Sequence, residues 1–275
     1  MGTEPVATRF AFLFFSFSST IDPMLRAFVQ INEGGMPFNL NAYAAYDGFR
    51  ERGVATDFFR PDDASWWAAL PALEDDLVFA AGIGVVLEIL DVWGVPRPRS
   101  LDYPSSLEPF FGRRVWRTTL AEVRGAERPL FVKSVAAKGV NGHVVRDFAD
   151  LLRTSGAPDD TPVYVSEPIE FRTEWRVFVV NGEILDVRLY KGSRFMAPEE
   201  EPIRAMVRAF VSSSEAPAAF GLDVGWVEGQ GMRLVEVNEG FSLGIYGLAP
   251  TLAAQMLEAR WAEFRAQRSL NPTSV

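Results

Sequence analysis

Three side chains late in the sequence, Asp223, Glu236 and Asn238, have types and spacing that suit a hard cation. They lie in two apolar runs, 220–228 and 231–238, on either side of Gly229-Gln230. A Gly-x pair of this kind closes a type II′ hairpin. With those residues as the loop, Glu228 stands opposite Gly231, Asp223 opposite Glu236, and Gly221 opposite Asn238. One face then reads Gly221, Asp223, Gly225, Val227, Met232, Leu234, Glu236, Asn238. The other, Leu222, Val224, Trp226, Arg233, Val235, Val237, is mostly core. Directly opposed residues hold their Cβ atoms roughly 4.5–5.5 Å apart. Two carboxylates at that separation need a cation between them, or one must bind a proton. Carboxylate and amide oxygens together suit Mg2+, which completes its shell with waters and phosphate oxygens. A solvated acidic face is the plain alternative; the opposition, the Asn and the flanking glycines favour the metal.

Lys133 ends the apolar run from Pro129 and precedes a loop, Ser134 to Gly142, that holds Lys138, Gly139, Asn141 and Gly142. Backbone N–H groups and ammonium charges in such a loop can wrap phosphates. It is not a Walker loop, because Gly-x-x-x-x-Gly-Lys-Ser/Thr occurs nowhere in the chain. A second hairpin signal, 174–180 with 183–190 about Asn181-Gly182, puts Glu174, Arg176 and Lys191 on one face. Arg188 falls on the other face unless a bulge intervenes. An ordinary edge ion-pair ladder would use Glu174 and Arg176 equally well. Two motif matches carry little. Gly82-Ile-Gly84-Val-Val-Leu87 opens a helix after a strand, but Leu87 replaces the third small residue of a dinucleotide fingerprint. Gly240-Phe-Ser242-Leu-Gly244 resembles a nucleophile elbow, but no His follows it. His143 is left without a role.

Composition narrows the chemistry further. The chain has 275 residues, 48 % apolar and 23 % charged, which is ordinary globular usage. With no Cys and a single His, thiolate chemistry, disulfides and multi-His metal sites are excluded. The formal net charge of −9 argues against a nucleic-acid partner. Only three lysines occur, Lys133, Lys138 and Lys191, and all fall in the segment with the phosphate and hairpin signals. The apolar run Phe10 to Phe17 is too short to span a bilayer, which takes about 20 residues. It lacks a basic flank and cleavage site, so it reads as a buried first strand of a cytoplasmic protein.

These groups must be positioned by recognisable elements. Residues 8–16 read as a strand, 17–22 as a loop, and a helix starts at Pro23 after an Asp22 cap. A helix at 41–52, a strand at 54–59, a helix at 62–70, a strand at 77–81 and a helix at 84–93 follow. That alternation gives a small α/β layer with parallel strands. Val95 to Pro109, with four prolines, is the expected boundary. Beyond it come strands at 113–120, 129–133 and 162–166, a helix at 146–155, the two hairpins with a helix at 199–212 between them, and a last helix near 249–267. Hairpins interleaved with helices indicate an α+β region.

Taken together, four blocks resemble the ATP-grasp superfamily of carboxylate–amine ligases. Phe131-Val-Lys133 and its loop resemble the lysine strand and glycine loop; Tyr164-Val-Ser-Glu167-Pro-Ile169 resembles the adenine hinge. Glu174-Trp-Arg176 resembles the ribose-binding Glu and its Arg strand, and Asp223, Glu236 and Asn238 match the metal triplet. Phe-Val-Lys-x-x-x-x-Lys-Gly and Glu-Trp-Arg-x-Phe-Val are similar to the two-arginine-one-lysine clade. Ser134 departs from the Pro common there, and the first cation of the small subdomain is an arginine, Arg114 or Arg117. The resemblance implies an ATP-grasp fold preceded by an N-terminal α/β domain. It divides the chain into 1–100, the small subdomain 101–165 and the large subdomain 166–275. It also implies roles. Lys133, Lys138, Gly139, Gly142 and Arg114 would hold phosphates. Glu167 and Ile169 would meet adenine, and Glu174 the ribose. Asp223, Glu236 and Asn238 would hold Mg2+, with Arg176, Lys191 and Arg188 steadying the transferring phosphoryl group. The expected activity is an ADP-forming ligase that joins small-molecule or peptide carboxylates and amines through an acyl phosphate. A phosphotransferase with a hydroxyl acceptor and a non-catalytic nucleotide-binding regulator are the alternatives. Substrate contacts are expected from the loops near 17–22, 34–41 and 239–247.

Overall fold

The computed structural model describes residues 25–73, 76–135 and 140–270. The expected strand at 8–16 and loop at 17–22 therefore lie outside the described residues. The first sheet is built from β1 (Arg26–Gln30), β2 (Ala55–Phe59) and β3 (Leu77–Ala80), all parallel, in the order β2-β1-β3. Its crossovers are α1 (Leu40–Glu51) and α2 (Ala64–Ala69), and α3 (Ile83–Val92) follows β3. Arg26–Gln30 is thus the central strand, in place of the helix expected from Pro23. Its three consecutive apolar residues, Ala27, Phe28 and Val29, are all buried. A strand covered on both faces takes such an unbroken apolar run, and that burial outweighs a local capping signal. The remaining elements of this layer lie where expected, with Asn39 capping α1 through Ala42 N at 2.9 Å and Asp63 capping α2.

The second sheet comprises β4 (Val115–Thr119), β5 (Leu130–Ser134), β6 (His143–Val145) and β7 (Pro162–Ser166), in the antiparallel order β4-β7-β5-β6. Its outer face packs Val132, Val163 and Val165 on Leu120 and Val123 of α4 (Leu120–Gly125). The helix expected at 146–155 is shorter, α5 (Phe148–Leu152), because Asp147 caps it and the short strand β6 precedes it. The third sheet is β8 (Thr173–Val180), β9 (Glu183–Lys191), β10 (Ala219–Val227) and β11 (Gly231–Glu239), ordered β11-β10-β8-β9. α6 (Glu200–Val211) covers its rear with Ile203, Met206 and Phe210 against Trp175, Leu222 and Leu234.

The last helix, α7 (Pro250–Leu270), returns to the first sheet. Trp261 and Phe264 enter the same cluster as Phe49, Phe79 and Trp93, and the Trp261 indole donates to Phe79 O at 2.8 Å. The approach of α7 to α1 requires Gly48: a Cβ there would lie 1.9 Å from the Pro250 carbonyl oxygen. Among the described residues no helix is long and apolar enough to cross a membrane.

Both hairpins form, with register details that matter. Asn181 and Gly182 have φ of 49° and 83°, as a type I′ turn demands. In the later hairpin, Val227 rather than Glu228 opposes Gly231, so pairing near the turn is offset by one residue. A bulge that leaves Val235 without a partner then restores the expected pairs Asp223–Glu236 and Gly221–Asn238. Met232 and Leu234 consequently sit in the rear core with Leu222 and Val224, not on the face of Asp223. The reason is compositional: strict alternation would have put two large apolar side chains and two ligands on one face, and the bulge separates them. Arg113 caps the irregularity by donating to Leu234 O at 2.8 Å and Val235 O at 3.2 Å.

Candidate active site

Register alone places Asp223 beside two strands, opposite Glu236 of β11 and opposite Arg176 of β8. The Arg176 fork holds both carboxylate oxygens, Nε to Oδ1 at 2.7 Å and Nη2 to Oδ2 at 2.6 Å. Its Nη1 donates to Gly244 O at 3.1 Å, which ties down the loop after β11. Asp223 and Arg176 are both buried. Burial pushes the Asp223 carboxyl above its ordinary pKa, with the fork opposing and Glu236 adding to the push. Burial works most strongly against the Arg176 charge, but the hydrogen bonds to Asp223 and the attraction of its charge together outweigh that and raise the pKa. A fork at these distances is the ionised pair.

Lys133 reaches this face from the second sheet. Its Nζ lies 2.5 Å from Glu236 Oε2 and 2.5 Å from Asp102 Oδ1. Burial lowers the pKa of the ammonium, but Glu236 and Asp102 more than compensate, so it stays charged. The Asn238 amide nitrogen donates to Asp223 Oδ2 at 3.1 Å and Glu236 Oε1 at 3.2 Å. The structure thus brings Lys133, Arg176, Asp223, Glu236 and Asn238 into one network. The partial positive charge of an amide N–H sits between the carboxylates, where the sequence calls for a cation. Among the described residues no group of three or more His, Cys, Asp or Glu could hold a metal. Asp223, Glu236 and Asn238 offer two carboxylates and one amide, a set of donors that Mg2+ commonly completes with phosphate and water.

Farther along the same face, Glu174 is buried and accepts from Tyr190 Oη at 2.7 Å, and its other oxygen pairs with Lys191. Burial, then Asp223 and Glu174, push the Tyr190 phenol up, so it remains a donor. Tyr246, from the loop held by Arg176, stacks on Tyr190 with ring centroids 4.9 Å apart. In the first hairpin, irregularities near Glu174 and Phe178 shift the register so that Arg188 stands opposite Arg176. Its guanidinium pairs with Asp186 at 2.5 Å.

Other expected residues lie apart from this network. Glu167 is exposed, and its Oε2 accepts from the Arg114 backbone N at 3.2 Å. Ile169 is half-buried in the connection between β7 and β8. The Arg114 side chain packs over Trp116, at 5.0 Å. Arg117 instead opposes Tyr164, which opposes Lys133, so Arg117 and Lys133 share one face of the second sheet. Gly142 backs onto Phe131, where a Cβ would meet the ring at 2.8 Å. Lys138 and Gly139 lie outside the described residues. A cavity of about 430 Å³ opens beside Lys133, Gly142, Asp102 and Asn238. A second, of about 920 Å³, is lined by Arg117, Tyr164 and Tyr103.

Sequence reasoning misses Asp102, Tyr190 and Arg113. Asp102 stands in a proline-rich connection with no periodic partner to betray it. Arg113 acts on a bulge that alternation conceals. Tyr190, next to Lys191, is legible only as one more strand aromatic.

Two antiparallel sheets that face each other across lysine and carboxylate side chains, with a parallel layer ahead of them, define the ATP-grasp fold. Solved structures with this arrangement include N5-carboxyaminoimidazole ribonucleotide synthetase, purK, as an ADP complex (TM-score 0.60, 10 % identity, 86 % of this chain and 77 % of that one). D-cycloserine synthetase DcsG matches at TM-score 0.57 and 14 % identity, over 86 % of this chain and 99 % of that one. D-alanine–D-alanine ligase from Bacillus anthracis complexed with ATP matches at TM-score 0.54 and 14 % identity, over 88 % and 98 %. The chain belongs to the ATP-grasp domain family of the two-arginine-one-lysine clade, family 2, whose model matches residues 110–256. No curated protein matches the sequence.

Proposed function

We propose that the chain takes ATP as a substrate between its second and third sheets and joins a carboxylate to an amine, releasing ADP and phosphate. The observation that carries this reading is the Lys133–Glu236 contact of 2.5 Å between those sheets, with Asp223 and Asn238 alongside. A phosphate-binding cation and a donor set for a hard ion then adjoin within one side-chain length. The ATP-bound ligase among the structural neighbours supports the same use of the fold here.

In this reading Lys133 and Arg117 receive phosphate oxygens from one face of the second sheet, helped by Lys138, Gly139 and Gly142. The structure favours Arg117 over Arg114, because it shares the lysine's face. Glu174 is oriented by Tyr190 and Lys191 to accept from a ribose hydroxyl, and Glu167 and Ile169 flank the adenine. Asp223, Glu236 and Asn238 hold Mg2+, which when bound neutralises phosphate charge and orients the transferred group. Arg176, fixed by Asp223 and Gly244 O, keeps positive charge beside the developing phosphoryl, with Lys191 and Arg188 behind it. A substrate carboxylate attacks the terminal phosphorus to give an acyl phosphate, and an amine displaces the phosphate. No side-chain nucleophile is needed, which suits a chain without Cys and with one His. The acid and amine are small molecules or peptides presented near 239–247 and the ends of the first sheet.

The test is ADP release in the presence of Mg2+ with pooled acids and amines. Release only when both pools are present supports the ligase; release with a hydroxyl acceptor alone points to a phosphotransferase. Glu236→Gln should abolish turnover and keep the fold, and full activity in that variant overturns the metal assignment.

A further inference from the structure

Asp102 has no part in the chemistry above, yet it is held more elaborately than a connecting residue needs. It is 3 % exposed, and its φ is +34°, in a region that non-glycine residues rarely adopt and Asp and Asn tolerate best. A carboxylate in dry surroundings and a sparsely populated backbone conformation both cost free energy, so its contacts must return it. Oδ1 lies 2.5 Å from Lys133 Nζ, Oδ2 accepts from Ser100 Oγ, and the carbonyl oxygen accepts from Val237 N at 2.8 Å. Val237 stands between Glu236 and Asn238. One residue of the connection therefore touches the lysine strand of the second sheet and the metal-ligand strand of the third. The stretch Pro98 to Leu101 just before it lines both cavities of the cleft.

We propose that Asp102 is a positioning residue that fixes the Lys133 ammonium over Glu236, so that an incoming phosphate meets a lysine already in place. A free lysine would have to give up the rotamer freedom of its four-carbon stem on binding; a lysine held by Asp102 has already done so. The fixture does not depend on Glu236. A divalent ion that takes up the Glu236 oxygens leaves Asp102, anchored by Ser100 and by the Val237 bridge, as the lysine's remaining partner. The inference rests on the reading of Lys133 as a phosphate-binding group.

The experiment is a titration of the full chain with Mg-ADP, for the wild type, Asp102→Asn, Lys133→Gln and the double variant. Asn is chosen because it keeps the volume, tolerates the positive φ and retains the carbonyl bridge. Asp102→Asn should raise the Kd for ADP about tenfold, the scale of one charge-assisted hydrogen bond. In the Lys133→Gln background the same change should move the Kd by less than roughly twofold, because Asp102 acts only through the lysine. In the ADP-release assay, KM for ATP should follow the Kd while kcat holds. Ser100→Ala, which frees one carboxylate oxygen, should weaken binding in the same direction, and it decides the matter if Asp102→Asn fails to fold. Two results overturn the role: ADP binding as tight as or tighter than wild type in Asp102→Asn, as a mere competitor for the lysine would give, or equal weakening with and without Lys133. A wild type that ignores ADP, or a Lys133→Gln variant that binds it as well as wild type, fails the nucleotide reading first and removes the Asp102 role with it.

Discussion

Replacing Arg176 with Met tests how the two carboxylates are reconciled. The substitution keeps much of the side-chain volume but removes two charge-assisted bonds to Asp223, at 2.7 and 2.6 Å, and one to Gly244 O. Asp223 is 3 % exposed, so its carboxylate would be left with only the Asn238 amide. Breaking one side of a buried pair costs about 3–5 kcal/mol. At about 2–4 °C per kcal/mol for a chain of this size class, Tm should fall by roughly 6–20 °C. The loss is mostly the orphaned charge, so Arg176→Met/Asp223→Asn should be about 2 kcal/mol more stable than Arg176→Met alone. Mg2+ should raise the Tm of the single variant more than that of the wild type, because the ion supplies the missing positive charge. Thermal unfolding with and without Mg2+ reads all of these. A single variant within about 1 kcal/mol of wild type, or a double variant no more stable than the single, refutes the reasoning.

Two other sites offer tests of the scaffold. Gly48→Ala should cost about 3 kcal/mol, since the new methyl meets backbone at Pro250 that cannot rotate away; urea unfolding should show a lower midpoint with an unchanged slope. Arg113→Met leaves the carbonyls of Phe111, Leu234 and Val235 without their donor and should cost about 2–3 kcal/mol. Because that donor fixes the bulge setting the position of Glu236, Mg2+-dependent ADP release should fall even where the variant remains folded.

The sequence is most informative where a local rule and a tertiary need agree. Asn181-Gly182 dictates its turn, and the alternation of 220–238 its strands. Opposition of Asp223 and Glu236 can be derived because an offset at the turn and a bulge at Val235 cancel over that span. The same bulge is why alternation puts Met232 and Leu234 on the wrong face, since period-two reasoning has no means of seeing an inserted residue. Arg26–Gln30 shows the reverse case, in which a plausible Pro23 helix start yields to burial between two neighbouring strands. Contacts between distant segments are the least legible. Nothing near Asp102 announces Lys133, and Arg117 lies in β4 on the face of Lys133 whereas Arg114 just precedes that strand. That distinction depends on register, not on residue type.

The central claim is that a divalent ion, with ATP, belongs between Asp223 and Glu236. Its most direct test is a crystal grown with Mn2+ and a non-hydrolysable ATP analogue, read by anomalous scattering at the manganese edge. The expected result is a peak bounded by the Asp223 and Glu236 carboxylates and Asn238, with phosphate oxygens beside Lys133. An ordered analogue whose manganese lies elsewhere, with those carboxylates still held only by Arg176, Lys133 and Asn238, contradicts it.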